Sequence, residues 1–150
     1  MAYSTQEGRE QILDDSAAAA RGLAAAATAL TDAYELLDDD SAQRMETRLF
    51  KPLQTAYGQL QRVHKEFAGR VELPVVHTEP PPGAAGGARV LIERAADAIQ
   101  GADDTLSELQ DTLLPVEVGD RELRVGLAGV RTLIGPLPEA CDQFIRTIGR

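Results

Sequence analysis

Residues 12–37 read ILDDSAAAARGLAAAATALTDAYELL, and this stretch decides the fold. Alanine and leucine are the strongest helix formers, and no proline interrupts residues 5–37, so the composition predicts a helix over that span. Within it Ile12, Ser16, Ala19, Leu23, Ala26, Leu30, Ala33 and Leu37 follow one another at alternating spacings of four and three. That spacing places them in one stripe along the helix, the seam of a rod packed against other rods.

Working outward, the same alternation recurs at Ala88, Ile92, Ala95, Ile99, Ala102, Leu106, Leu109 and Leu113. It returns at Leu123, Leu127, Val130, Ile134, Leu137, Cys141, Phe144 and Ile148. A shorter seam passes through Leu49, Leu53, Ala56, Leu60, Val63 and Phe67, with Met45 one turn earlier. Four long helices are expected. Leu13, Phe50, Tyr57, Leu91, Leu133 and Ile145 flank the seams and widen each stripe beyond what a two-stranded coil needs.

The punctuation between seams sets the connectivity. Asp38-Asp39-Asp40-Ser41 is a tight turn in which Asp40 or Ser41 can cap the second helix. Pro115-Val116-Glu117-Val118-Gly119-Asp120 stops the third helix and offers Asp120 as the cap of the fourth. Residues 72–87 carry Pro74, Pro80-Pro81-Pro82, Gly83, Gly86 and Gly87 and have no helical pattern. The expectation is one all-α domain over residues 1–150: an antiparallel four-helix bundle of two helical hairpins, 5–70 and 88–149, joined by this Pro/Gly-rich linker. Extended at about 3.1 Å per residue the linker reaches roughly 50 Å, enough for either connection, and an up-down-up-down order with a loose excursion is expected. Leu49-Phe50-Lys51-Pro52-Leu53 and Leu133-Ile134-Gly135-Pro136-Leu137 also resemble each other, which suggests duplication of a hairpin.

Composition excludes several function classes. The 150 residues are 43% hydrophobic and 26% charged, a globular balance, and no apolar run approaches a membrane span. The formal charge of −9 repels phosphate backbones, and the basic residues are not segregated, so no nucleic-acid partner is expected. The opening residues, Met1-Ala2-Tyr3 onward, have no basic-then-apolar leader pattern, and the single Cys141 has no intramolecular partner. A cytoplasmic location is the expectation.

Chemistry-bearing patterns are sparse. Interior prolines remove a hydrogen bond and crowd the preceding turn, so Pro52 and the Gly135-Pro136 pair, with Pro138 behind, should kink their helices. A small apolar ligand held near those kinks is one functional reading. No Glu-x-x-His pair suits a carboxylate-bridged metal site, and one cysteine with His64 and His77 cannot close a zinc shell; neither a metal nor a cofactor is expected. His64, read as a surface or boundary residue, is the helical histidine on which a phosphotransfer module could be built, though the residues following it do not fit that pattern. Cys141 reads as inert core. No catalytic residues are assigned. Gly126 and Gly129 suggest close approach of a neighbouring helix.

One feature exceeds the needs of a core. Alanines beyond the seam, among them Ala17, Ala18, Ala24 and Ala25, leave the first helix apolar around much of its circumference, so it is central or covered by something. With Tyr34 they form the candidate interface for a protein partner or self-association. The functional expectation is therefore a non-catalytic interaction or assembly protein. A small-molecule-binding or sensor bundle and a phosphotransfer module using His64 are the alternatives.

Overall fold

The computed structural model describes residues 4–148, so Met1-Ala2-Tyr3 and the last residue of the expected second hairpin lie outside it. The described chain is all-helical, with no strand. The long elements are α1 (Thr5–Tyr34), α3 (Lys51–Arg70), α4 (Ala88–Asp111), α6 (Arg121–Ile134) and α7 (Leu137–Ile148). The short elements are α2 (Asp39–Met45) and α5 (Leu114–Glu117). A π-helical turn, Glu46–Phe50, joins α2 to α3, while only Gly135-Pro136 separates α6 from α7.

Local chemistry accounts for the boundaries. The Glu7 N–H donates to Ser4 Oγ at 3.1 Å and opens α1. The second helix is capped by Asp38, not by Asp40 or Ser41: the Ser41 N–H donates to Asp38 Oδ1 at 2.8 Å. The cap falls two residues before Asp40 because α1 ends at Tyr34, leaving a four-residue connection. Asp120 caps α6 as its position suggested, accepting from the Leu123 N–H at 2.8 Å.

The two prolines are handled differently. Ahead of Pro52 the helix widens, and the Lys51 N–H donates to Glu46 O, five residues back. One extra residue in the turn gives the proline ring room without ending the rod. At Gly135-Pro136 the helix is interrupted for two residues, yet Val130, Ile134, Leu137 and Cys141 all remain buried, so the seam stays in phase.

Most seam residues form one continuous core, including Ile12, Leu23, Leu30, Leu53, Leu60, Ile92, Ile99, Leu106, Leu127 and Phe144. Leu113 departs from its seam. It leaves α4 in the left-handed conformation, φ 67°, which turns its side chain out to 55% exposure while Leu114 is buried.

Packing partners give the direction of each rod. Gly22 of α1 faces Ala98 and Ala102 of α4, and Gly8 faces Leu114 and Val118 at the far end, so α4 runs antiparallel to α1. Ser16 meets His64 of α3, and the tight turn at Asp38 makes α3 antiparallel to α1 as well. Hence α3 and α4 run the same way, and the up-down-up-down order gives way to a crossover. Residues 71–87 climb along α1 instead of looping loosely. The Val76 N–H donates to His64 Nε2 at 3.0 Å, the Arg21 Nε–H donates to Glu79 O at 2.9 Å, and Gly83 lies against Thr28 and Asp32. Val71, Leu73, Val75 and Val76 pack on the core and hold the linker down.

α6 closes on α3 through Gly126, which faces Val63, and Gly129, which faces Gln59. Arg70 and Asp120 join the ends of the same two helices by two bonds, at 2.6 and 2.9 Å. The Arg70 guanidinium, followed by the Leu123 amide, holds the Asp120 carboxyl below the usual carboxylate range. Because Asp120 both caps and pairs, Asp120→Ala should cost about 1 kcal/mol, mostly the lost cap, since the pair is a third exposed. Asp120→Asn keeps the cap and should recover most of that loss in a urea melt.

Candidate functional site

The linker runs alongside the alanine-rich part of α1. Val75 to Thr78 border Ala17, Ala20 and Ala24, and Pro81 to Ala84 border Ala25, Thr28 and Ala29. Of the residues assigned to an interface, Ala17 is buried, Ala24 and Ala25 are half-buried, and Ala18 and Tyr34 are exposed.

Where the linker first reaches α1, three elements meet at a buried polar pair. His64 is only 5% exposed and Ser16 only 1%, which corrects the surface or boundary placement of the histidine. The spacing Leu60–His64–Phe67 is as good a helical seam as Leu60–Val63–Phe67, and in the structure His64 and Phe67 are buried while Val63 is half-buried against Gly126. Ser16 was legible only as a small seam residue.

The bonds fix the tautomer of the ring. Nε2 accepts from the Val76 N–H, so it carries no proton. The proton of the neutral ring therefore sits on Nδ1 and is donated to Ser16 Oγ at 2.7 Å, while the Ser16 hydroxyl donates to Leu13 O at 3.1 Å. Every polar atom in the chain Val76–His64–Ser16–Leu13 is satisfied. Burial lowers the His64 pKa from its ordinary value; His77 adds to this and Asp14 opposes it.

This arrangement sets the chemistry of the pair. A serine nucleophile needs an adjacent nitrogen with a free lone pair, and Nδ1 here is already a donor. A phosphoryl acceptor needs an exposed ring nitrogen, and both are engaged inside the fold. The pair works as a clasp between α1, α3 and the linker.

Outside the clasp lies a cleft of about 250 Å³. Its floor is Ala17, Ala20 and Ala24, one wall is Tyr57, Gln61 and Lys65 of α3, and the other is Val75 to Thr78 of the linker, with Arg21 at the rim. The Gln61 amide donates to Tyr57 Oη at 2.7 Å, which leaves the phenol proton available to another acceptor. None of Pro52, Gly135, Pro136 and Pro138 lines it. Pro52 and Pro138 are half-buried, and Gly135 and Pro136 are exposed on the opposite rod.

Cys141 is fully buried, and burial, followed by the nearby Asp142, pushes its thiol up to about 12, so it carries no thiolate near neutral pH. Among the described residues no group of three or more His, Cys, Asp or Glu side chains is placed to hold a metal ion. Among the described residues no helix is long and apolar enough to cross a membrane. No protein-family model, curated protein or solved structure matches the chain.

Proposed function

We propose that the chain is a non-catalytic interaction protein, an antiparallel four-helix bundle of two helical hairpins, and that it docks on a partner through the apolar turn between α4 and α6. The observation that carries this reading is Leu113. A leucine in the left-handed region costs about 1–2 kcal/mol relative to a helical conformation, and burial does not offset it here, because the side chain is 55% exposed. Val116, 62% exposed, stands beside it in the same short turn. Strain kept at an exposed apolar tip supports a role in recognition.

The flanking charges favour a particular kind of partner. Asp111 and Glu117 are exposed on either side of the tip, and the chain carries a net charge of −9. A second copy would meet like charge, whereas an apolar pocket with a basic rim would not. The test is a photo-crosslinking residue placed at Val116 in cells, compared with one at Ala18. A discrete adduct from Val116 that is lost in Leu113→Asp supports the reading. Identical patterns from both positions, or no adduct, would refute it.

A stability measurement accompanies this. Leu113→Gly removes both the strain and the contact, so it should raise stability by about 1 kcal/mol in a chemical melt while abolishing the adduct. A loss of stability would mean that Leu113 has a structural role instead.

A further inference from the structure

The cleft outside the clasp has a charge opposite to that of the protein. Its border holds Arg21, Lys65, His77 and the edge of the neutral His64 ring and no aspartate or glutamate, in a chain with 24 acidic and 15 basic residues. Neither Arg21 nor Lys65 forms an ion pair among the described residues. We propose that this cleft binds a small organic anion, with its carboxylate or phosphate at the rim and its apolar body on the alanine floor.

Each part of the lining has a place in that reading. Arg21 is anchored through Nε to the Glu79 carbonyl, which holds its terminal nitrogens at the rim without neutralising them. That is the pre-organisation an anion site needs, because less side-chain freedom is lost on binding. Lys65 on α3 and His77 on the linker carry further donors, and Tyr57 offers its phenol proton. Ala17, Ala20, Ala24, Val75 and Val76 supply the apolar surface. The volume of about 250 Å³ falls just below the usual range for drug-sized ligands, which suits a small metabolite and not a dinucleotide. The inference is independent of the docking tip, which lies in the turn between α4 and α6, on elements that do not line this cleft.

Calorimetric titration with four probes tests it: phenyl phosphate, benzoate, inorganic phosphate and benzylamine. Phenyl phosphate and benzoate should bind with Kd below about 1 mM, and benzylamine at least about tenfold more weakly. Inorganic phosphate should also bind about tenfold more weakly than phenyl phosphate, since it lacks the apolar body. Lys65→Glu and, separately, Gln61→Glu each place a carboxylate at an exposed cleft position and should weaken phenyl phosphate by about tenfold or more. Comparable binding of benzylamine and benzoate, binding of inorganic phosphate equal to that of phenyl phosphate, no heat from any probe, or unchanged affinity in both variants would overturn the proposal.

Discussion

His64→Leu should cost the fold about 3 kcal/mol and remove most of its sensitivity to mild acid. The substitution keeps an apolar side chain in a buried position but leaves the Val76 N–H and the Ser16 hydroxyl without the ring that joins them. A buried donor deprived of its partner costs about 1–3 kcal/mol, and here the linker also loses its first anchor on α3. Ser16→Ala removes one arm of the clasp and should cost less, about 2 kcal/mol. Exchange of the Val76 amide with solvent deuterium should quicken in both variants, most in His64→Leu.

The pH dependence follows from the depressed pKa. The unfolded chain takes up a proton at the ordinary histidine value of 6.5, whereas the folded clasp resists it, because a protonated Nε2 would face the Val76 N–H, donor against donor. The unfolded state therefore binds more protons below pH 6.5, and stability falls as pH drops from there towards the folded pKa. Above that pH the contribution is complete. The slope is at most about 1.4 kcal/mol per pH unit, and the difference between wild type and His64→Leu isolates it from the carboxylates that titrate lower. Parallel stability curves for the two proteins between about pH 5 and 7 would rule out His64 as the titrating group.

Gly126→Ala should destabilise by about 2 kcal/mol, although alanine is the better helix former. A methyl group there would collide with the Val63 side chain of α3. Valine in a helix holds essentially one rotamer, so the clash is relieved by moving α3 and α6 apart, and overpacking of this kind costs about 1–3 kcal/mol. Helix propensity returns up to about 1 kcal/mol of it. Val63→Ala on the same chain should make the second substitution close to neutral, and a double-mutant cycle in urea reads that coupling directly. Gly101→Ala is the control: its Cβ would meet open space, so it should stabilise by about 0.5–1 kcal/mol. If Gly126→Ala stabilised to the same degree, the close approach of α3 and α6 would be refuted.

The helical character, the seams and most of the core were legible in the sequence, because a period between three and four residues specifies one helix face regardless of what it meets. Ile12, Leu23, Leu53, Ile99 and Leu127 are buried where their spacing places them. Gly126 was also legible as a point of close approach, since a glycine inside a seam is otherwise only a cost. Leu113 was not, because its exposure depends on one backbone residue leaving the helix in the left-handed conformation. His64 stood at a position where two seams were equally good, and spacing alone could not choose between it and Val63.

The sequence by itself thus determined which residues turn inward along each rod, where the rods begin and end within a few residues, and that the alanines of α1 extend well beyond its seam. Only the tertiary structure decided what lies alongside them. The linker was long enough for either connection, so its length constrained nothing. Its path is set by contacts distant in sequence: Val76 to His64, Glu79 to Arg21, and Gly83 to Thr28 and Asp32. Those contacts bring Ser16, His64 and Val76 into one buried clasp and gather Arg21, Lys65 and His77 around one cleft. Periodicity describes a helix relative to its own axis, and it carries no information about which extended segment will lie across it.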